Sequence, residues 1–506
     1  MIEREPLLRI EGLKTYFHTY EGVVKALEGI DLEIHKGETM GLVGETGCGK
    51  SVTATTVMGL IPMPPGKIEG GRVFLGEPIE VTTLRREYDK RFGNDGEARK
   101  KEIGKLTKSL DDMKATGKGK DPGARRLKEQ LAALEYRFDI LHKTQQELNA
   151  IRGDRIAMIF QEPMTALNPG FTIGAQISET IQLHQLGKIA DLALKVAETE
   201  LKAIEAGKRA RRVKSGSGSE MCSECRVNIR EDHGYCLSCG SPLEGGFSFL
   251  KPMALRKTWL RTSRKYYARL KENPDNTYAY FMERLPVVKR LVESRFRLAK
   301  TLLAEDALRE VKIAEPIRVA KSYPYELSGG MKQRAMIAMM MSTQPDLLIA
   351  DEPTTALDVT VETQILALMR DLQRTRNTSI LLITHDLGVI AENCHRVAVM
   401  YAGYIVEMSD VEEIFKRPLH PYMNALLRSI PKVGPAFIGM RKKPLEIIPG
   451  VVPNLLKPPP GCRFHPRCER ALEKCSKEVP PLVEMIPGHQ VACHNPVPQS
   501  AKEASS

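Results

Sequence analysis

The sequence lacks three features that would place it in other classes of protein. It has no run of eighteen or more apolar residues, so we expect no segment that crosses a bilayer. Residues 1–12 contain no basic region followed by an apolar one, which predicts a chain without a secretory signal. No long internal repeat is present, and each phosphate motif described below occurs once. We therefore expect a protein that stays in the cytosol and reaches a membrane only through partners.

The composition is that of an ordinary folded protein, but charge and cysteine are unevenly distributed. Apolar residues make up 42% and charged residues 27% of the 506 residues, enough for the cores of roughly three or four domains. The net charge is +12, and residues 205–300 hold 21 Lys or Arg against 10 Asp or Glu. A basic segment of this kind can bind phosphate, an acidic membrane leaflet or nucleic acid. The alternative is an ordinary charged surface exposed to solvent.

A phosphate-binding loop follows the short apolar strand predicted over residues 38–43. Residues 44–51 read GETGCGKS, which fits G-x-x-x-x-G-K-[ST] between a strand and a helix. Glycines let backbone N–H groups face phosphate oxygens, and the N-terminus of the helix adds positive potential. We expect Lys50 to reach the β- and γ-phosphates and Ser51 to hold Mg²⁺. The predicted nucleotide-binding residues of this segment are Gly44, Glu45, Thr46, Gly47, Cys48, Gly49, Lys50, Ser51 and Val52.

Two carboxylates end a second predicted strand, at residues 347–350. Asp351 and Glu352 emerge at its C-terminal edge, where α/β sheets place their ligands. An Asp-Glu pair after a strand is weak evidence alone, but behind a phosphate-binding loop it indicates phosphoryl transfer. We expect Asp351 on the Mg²⁺ side of the site and Glu352 where it polarises the attacking water.

Four further segments resemble motifs of the ATP-binding-cassette (ABC) ATPases, in the same order along the chain. Residues 327–334 read LSGGMKQR and resemble the family's signature motif. Residues 159–163 read IFQEP and contain a glutamine like that of the Q-loop, Gln161. His385 is similar to the switch histidine, and residues 356–358 resemble the D-loop. The resemblance implies catalytic roles for Glu352, His385 and Gln161, with Gln161 also near Mg²⁺.

The same resemblance implies two further binding roles. Phe17, or less favourably Tyr16, is placed like the aromatic residue that stacks on adenine. Ser328, Gly329 and Gly330 would cover the ATP held by the phosphate loop of a partner subunit. One phosphate loop and one signature motif per chain imply that the chain is half of a sandwich dimer. In the family, closure of that dimer drives an attached membrane pore.

Three segments, of which the first overlaps the Q-loop motif, resemble the ATP-binding subunits of oligopeptide/dipeptide (peptide/nickel) importers. They are residues 160–169, FQEPMTALNP; residues 417–427, RPLHPYMNALL; and residues 460–468, PGCRFHPRC. The resemblance implies an ATPase that powers import of di- or oligopeptides or related solutes such as nickel. Its implied partners are a second ATPase subunit, favoured to be a paralogue, two transmembrane permease subunits and, indirectly, a solute-binding protein. The implied location is the cytoplasmic face of the cell membrane, as a peripheral protein.

The predicted fold class is α/β, a P-loop ABC-type nucleotide-binding domain with a helical subdomain. We expect this ATPase domain to comprise residues 1–84, 150–204 and 299–415. A helical hairpin is predicted over 85–149, because Ile103 to Met113 and Leu127 to Leu141 each repeat apolar residues at spacings of three and four. A small zinc ribbon with basic helices is predicted over 205–298, and an importer-type C-terminal region over 416–506.

The C-terminal region has four cysteines, spaced C-x5-C-x6-C-x17-C, at Cys462, Cys468, Cys475 and Cys493. Four thiolates brought together suit Zn²⁺ or an iron–sulfur cluster, and four free cysteines are the alternative. The family resemblance favours a [4Fe–4S] cluster. Since ATP hydrolysis needs no electrons, we expect a structural role.

The segment 205–298 contains a second group of four cysteines. Their spacing, C-x2-C-x10-C-x2-C, is typical of structural Zn²⁺ held by two C-x-x-C turns. The predicted ligands are Cys222, Cys225, Cys236 and Cys239. Aromatic residues such as Tyr266 and Tyr267 follow among many Lys and Arg; we rank helix packing on the hairpin first, an acidic leaflet second and nucleic acid third. We expect the two insertions to form a regulatory or docking lobe.

The alternative function is a soluble ABC-class ATPase that acts on nucleic acid. Some DNA-repair members of the superfamily insert coiled coils that carry a C-x-x-C hook. Here the heptads are few and both C-x-x-C pairs lie in one chain, which argues against nucleic acid as a partner. An intact Glu352 also argues against a purely structural nucleotide binder.

Overall fold

The computed structural model describes residues 5–93, 95–116, 121–161, 166–206, 212–214, 220–222, 253–272, 286–355, 357–430 and 447–498. The chain forms two compact units, the first from residues 1–162 and 344–506 and the second from residues 163–343. The helices are α1 Lys50–Val57, α2 Ile79–Phe92, α3 Gly96–Ala115, α4 Pro122–Leu134, α5 Gln145–Ile151, α6 Ile173–His184, α7 Leu186–Glu205, α8 Met253–Glu272, α9 Pro286–Glu310, α10 Pro316–Lys321, α11 Gly329–Met341, α12 Val359–Arg376, α13 Leu387–Asn393, α14 Val411–Lys416 and α15 Pro421–Ser429. The strands are β1 Pro6–Thr19, β2 Gly22–His35, β3 Thr39–Val43, β4 Gly66–Leu75, β5 Ile156–Ile159, β6 Arg212–Lys214, β7 Glu220–Cys222, β8 Leu347–Asp351, β9 Ser379–Thr384, β10 Arg396–Tyr401, β11 Tyr404–Asp410, β12 Val483–Ile486 and β13 His489–Val491.

The centre of the first unit is an eight-stranded sheet in the order β12-β13-β11-β10-β3-β9-β8-β5. The five strands from β10 to β5 are parallel to one another, and β11, β13 and β12 continue the sheet in antiparallel pairs. Every residue of β3, β8 and β9 is buried. Their continuous apolar runs are typical of parallel strands that are covered on both faces.

A separate antiparallel sheet, ordered β2-β1-β4, belongs to the same unit. Its side chains Leu8, Ile10 and Leu13 are fully buried and share one hydrophobic core with Leu42 of β3 and Ala54 of α1. This common core fixes β1 relative to the segment that follows β3.

Helices α3 and α4 pack through the residues selected by the heptad-like spacing. Leu110 and Leu131 are buried, and Ile103, Leu106 and Leu127 pack against them. Asp95 caps α3, because its side chain accepts a hydrogen bond from the backbone N–H of Ala98. The spacing therefore located the two facing surfaces of this helical pair.

The second helix is shorter than its apolar spacing predicts. It ends at Leu134, whereas the repeat continues to Leu141. Tyr136 has a φ of 48°, a left-handed conformation that turns the chain. Phe138 consequently packs beside Val81 of α2 and does not extend the α4 surface.

A buried ion-pair cluster joins α2 to the antiparallel sheet. The Arg85 side chain is 2% exposed and donates to Glu77 Oε1 at 2.9 Å and to both oxygens of Glu11 at 2.9 and 3.0 Å. Its guanidinium also lies 3.9 Å from the ring centre of Phe74. These contacts hold α2, and the helices packed on it, to the first unit.

The second unit consists mainly of helices. Helix α9 packs against α6, α7, α10 and α11, and α8 packs against α7. Arg295 of α9 donates to the fully buried Glu200 of α7 at 2.9 Å. Tyr266 and Tyr267 of the basic helix α8 are buried, so these aromatic residues are used in packing, with α7 as the neighbour. None of the described helices has the length and apolar character that crossing a bilayer requires.

Candidate active site

Four neighbouring parallel strands deliver the predicted site residues to one edge of the central sheet. β3 leads into the phosphate loop, β9 into His385, β8 into Glu352 and β5 toward Gln161. The registers are aligned, since Val43 lies opposite Thr384 and Asp351 lies opposite Ile383. Because the C-terminal ends of parallel strands share an edge, residues far apart in sequence become neighbours.

The phosphate loop requires glycine at two crowded positions. A Cβ at Gly44 would collide with the carbonyl oxygen of Met400, and one at Gly49 would lie 2.8 Å from that of Ala26. Gly49 also has a φ of 109°, and α1 begins at the next residue. The loop is thus pressed against β10 and β2 and leads directly into a helix N-terminus.

Lys50 is buried and folded back onto its own loop. Its Nζ donates to the carbonyl oxygens of Gly44 at 2.7 Å and Glu45 at 3.2 Å. A lysine ammonium held by neutral carbonyl oxygens is available to a phosphate oxygen, because a charged oxygen is the stronger acceptor.

Asp351 and Ser51 form an oxygen-rich pair suited to Mg²⁺. Asp351 is 3% exposed, and it accepts a hydrogen bond from the Ser51 hydroxyl. Burial raises the pKa of Asp351, and its Oδ1 has no hydrogen-bond partner among the described residues. A buried carboxylate with a spare oxygen beside a hydroxyl offers the hard ligands that Mg²⁺ takes in nucleotide sites.

Glu352 lies at the centre of a small hydrogen-bonded group. Its Oε1 is 3.0 Å from His385 Nδ1, and its Oε2 accepts from Thr355 Oγ1 at 3.2 Å and from Gln161 Nε2 at 3.5 Å. Burial opposes ionisation, but the hydrogen bond and charge of His385 and the Thr355 hydrogen bond outweigh it and lower the pKa of Glu352. The carboxylate is therefore ionised at neutral pH, the state that a general base requires.

The backbone of Glu352 is strained. Its φ of 46° is unfavourable for a residue with a side chain, and such strain persists where surrounding structure enforces it. Its N–H donates to the carbonyl of Ile383 at 2.9 Å, which ties this residue to β9.

Tyr16 and Phe17, the two neighbouring aromatic residues of β1, make different contacts. The Tyr16 hydroxyl bonds Glu28, and Lys25 Nζ lies 5.6 Å from the Tyr16 ring centre. Phe17 pairs with Val24 and Gly66 and is partly exposed. Since Tyr16 is engaged by Glu28, these contacts favour Phe17 for the adenine role.

In the second unit, the predicted signature residues begin a helix. Ser328 is the N-cap of α11, and its Oγ accepts from the Met331 N–H at 3.4 Å. Gly329 and Gly330 form its first turn, where backbone N–H groups have no partner within the helix. A helix N-terminus of this kind attracts anions, and the role of these residues toward a partner's nucleotide stays a prediction.

Two residues of the C-terminal region contact the phosphate loop, and the sequence motifs did not reveal them. Arg467 donates to Glu45 Oε2 at 2.7 Å and to Glu45 Oε1 at 3.2 Å. The Tyr422 hydroxyl accepts from the Glu45 N–H at 3.1 Å. No spacing rule relates positions this far apart, although Tyr422 and Arg467 both lie in the importer-like segments 417–427 and 460–468.

The four C-terminal cysteines influence one another electrostatically. Burial raises the pKa of Cys462 to about 11 and that of Cys493 to about 12, and the other thiols of the group contribute in the same direction. Backbone N–H groups of Leu472 and Asn495 donate to the sulfurs of Cys475 and Cys493 at 3.4 and 3.3 Å. Even so, no group of three or more His, Cys, Asp or Glu within the described ranges is arranged to hold a metal ion.

Of the second cysteine group, the structure describes one member. Cys222 ends β7 and is buried. Cys225, Cys236 and Cys239 lie outside the described residues. The zinc site of this segment therefore stays a prediction.

Comparison with known proteins shows which families and relatives the chain is similar to. A family model described as "ABC transporter" matches residues 27–223 and 251–355, and one described as "Oligopeptide/dipeptide transporter, C-terminal region" matches residues 406–475. The chain is 33% identical to a probable peptide ABC transporter ATP-binding protein of Sinorhizobium fredii, over 96% of this chain and 94% of the relative. It is 32% identical to the oligopeptide transport ATP-binding protein AppD of Bacillus subtilis, over 96% of each, and 30% identical to OppD of Escherichia coli, over 98% and 95%.

Proposed function

This chain belongs to the ATP-binding proteins of ABC transporters, with the C-terminal region of the oligopeptide/dipeptide type, and from that premise we propose that it powers import of di- or oligopeptides, or related solutes such as nickel. The observation that carries the proposal is the convergence of phosphate loop, Asp351, Glu352 and His385 at one sheet edge, in a chain whose full length resembles peptide-transport ATPases. The relatives' roles favour transport over the nucleic-acid alternative.

We propose that the site residues act in the following way. The loop N–H groups and Lys50 bind the triphosphate, and Phe17 stacks on the adenine. Ser51 and Asp351 would hold Mg²⁺, with Gln161 nearby, and the ion would supply positive charge to offset that of the phosphates. Glu352 accepts a proton from the attacking water, while His385 and Gln161 orient its carboxylate through the contacts at 3.0 and 3.5 Å. Ser328, Gly329 and Gly330 complete the nucleotide site of a second ATPase subunit.

The proposed partners follow from this half-site arrangement. They are a second ATPase subunit, favoured to be a paralogue, two permease subunits in the membrane, and a solute-binding protein that acts through the permeases. The proposed location is the cytoplasmic face of the cell membrane. Nucleic acid is not among the proposed partners.

Purification of the full-length tagged chain from detergent-solubilised membranes tests this function. We expect two permease chains and a second ABC ATPase to co-purify, and the reconstituted complex to hydrolyse ATP faster when peptide-loaded binding protein is added. A control preparation with Ser328→Arg is expected to assemble but to hydrolyse slowly, because the bulky cation would disrupt the nucleotide contact in trans. Hydrolysis by an isolated monomer at the same rate as the complex, or co-purification with nucleic acid alone, would contradict the proposal.

We further propose that the four C-terminal cysteines hold a [4Fe–4S] cluster with a structural role. Support comes from four partly or fully buried cysteines and from backbone N–H groups that donate to two of the sulfurs, a feature that stabilises cluster thiolates. For Cys222, Cys225, Cys236 and Cys239 we propose structural Zn²⁺, on their spacing.

Elemental analysis tests both metal assignments. Protein purified without oxygen is expected to contain about four iron and four acid-labile sulfides per chain and one zinc. Cys468→Ser is expected to lose iron and retain zinc, whereas Cys225→Ser is expected to do the reverse. Two zinc ions per chain with no sulfide would overturn the cluster.

A further inference from the structure

The contact between the C-terminal region and the phosphate loop has a geometry that can affect nucleotide binding as well as stability. Arg467 is 6% exposed and presents two N–H groups to the two oxygens of Glu45, a bidentate pair. Glu45 is the first variable residue of the loop, directly after Gly44. Its partner comes from a segment more than four hundred residues later in the chain.

Arg467 is itself held in place by buried groups. Its Nε donates to the carbonyl of Pro449 at 2.9 Å, and its Nη1 donates to the Tyr401 hydroxyl at 3.2 Å. Tyr401 is 1% exposed and stacks edge-on against Tyr422, with ring centres 4.7 Å apart. A guanidinium fixed in this way presents its charge at a set position, and Glu45 loses little freedom by pairing with it.

The backbone of Glu45 is held as well. Its N–H donates to the Tyr422 hydroxyl at 3.1 Å, and its carbonyl oxygen accepts from Lys50 Nζ at 3.2 Å. Side chain, N–H and carbonyl of one loop residue are therefore all bonded, two of them to the C-terminal region. The conformation that presents the phosphate-binding N–H groups depends on these anchors.

The negative charge of Glu45 also affects how the loop binds phosphate. An unpaired carboxylate at the start of the loop would repel the triphosphate, and this repulsion is strong in a half-buried site. Arg467 neutralises that carboxylate. We propose that Arg467 is a positioning residue for ATP binding, through which the cysteine-bearing C-terminal region sets the nucleotide affinity of the phosphate loop.

This inference rests on the proposed ATPase function and is tested by nucleotide binding alone. The probe is MgATP, titrated against fluorescent N-methylanthraniloyl-ATP on the purified full chain. Arg467→Ala is expected to weaken ATP binding about 10- to 100-fold, the effect of losing a charged hydrogen bond and leaving its partner unpaired. In steady-state hydrolysis by the assembled complex, KM for ATP is expected to rise by a similar factor and kcat to change less, because ground-state binding is lost.

A double-mutant cycle separates charge pairing from general damage to the C-terminal region. Glu45→Gln in the Arg467→Ala background is expected to recover about tenfold in ATP affinity, because the uncompensated charge is gone. The matched control is Arg470→Ala, whose side chain donates to Asn495 and Pro496 of the same region, and it is expected to leave ATP affinity unchanged. If Arg467→Ala fails to fold, Tyr422→Phe removes one hydroxyl at constant shape and is expected to weaken binding about fivefold.

The outcomes distinguish this inference from the function on which it rests. Folded Arg467→Ala and Tyr422→Phe proteins that bind ATP within twofold of the unchanged protein would overturn the inference. Absence of recovery in the double variant would overturn the charge-pairing argument. Failure of the unchanged protein to bind ATP would instead overturn the proposed function.

Discussion

Glu352→Gln is expected to bind ATP and to hydrolyse it about 10²- to 10⁴-fold more slowly, the range for losing a general base. Glutamine keeps the shape and can still accept hydrogen bonds from Thr355 and Gln161, but it cannot take the proton of the attacking water. Since the pKa of Glu352 is lowered, the unchanged protein keeps its base ionised at neutral pH, and activity through this group is lost only toward acid pH. Single-turnover hydrolysis by the assembled complex measures the effect directly.

The control for this prediction is Glu392→Gln, which changes an exposed carboxylate at the end of α13. Its turnover is expected to match that of the unchanged complex. Turnover by Glu352→Gln within about threefold of that control would remove Glu352 from the role of base. Retained binding of ATP, checked with the fluorescent analogue, would show that the loss is in the chemical step.

Arg85→Ala is expected to destabilise the first unit by about 3–5 kcal/mol, the usual cost of removing one member of a buried ion pair. Glu77 is 3% exposed on its side chain and would lose its 2.9 Å contact while keeping the longer one to Arg9 at 3.4 Å, and Glu11 would lose its bidentate partner. The Arg85 guanidinium also covers the Phe74 ring, so packing is lost together with charge. Urea denaturation of the full chain, followed by circular dichroism, is expected to show a lower midpoint for the first transition.

The neighbouring Arg86 provides a matched control. It is 61% exposed and lies 3.7 Å from Glu11, so Arg86→Ala is expected to cost no more than about 1 kcal/mol. In the Arg85→Ala background, Glu77→Gln is expected to recover part of the stability, because the buried charge is removed. Equal midpoints for Arg85→Ala and Arg86→Ala would show that the buried pair does not anchor α2.

The sequence revealed the residues that carry the chemistry of the site more fully than the contacts that hold those residues in place. The phosphate loop and Asp351 could be identified because backbone and Mg²⁺ chemistry restrict residue types at fixed spacing. For Gln161 and His385, no such chemistry restricts the residue type at a fixed spacing. Their roles were predicted only from their order among the other motifs. Their distances to Glu352 depend on strand order, which no local pattern encodes.

The end of α4 and the burial of two arginines depend on contacts that cannot be predicted from the sequence pattern. The apolar spacing located the facing surfaces of α3 and α4 but not the end of α4, because the left-handed residue Tyr136 breaks a repeat that continues beyond it. Arg85 and Arg467 read as ordinary charged residues, and their burial arises only when distant segments meet. The zinc ligands after Cys222 lie outside the described ranges and stay a prediction.

The position of β3 in the sheet affects how the protein is made. β3 leaves the ribosome early, but its two neighbours begin only at Ser379 and Arg396, and the residue that holds Glu45 emerges later still. A nascent chain therefore exposes an apolar strand and an unformed nucleotide loop until these later segments have been synthesised, a period in which such segments are prone to aggregation. Products of premature termination are expected to be insoluble and unable to bind ATP, so that incomplete copies do not compete with finished ones for the permease.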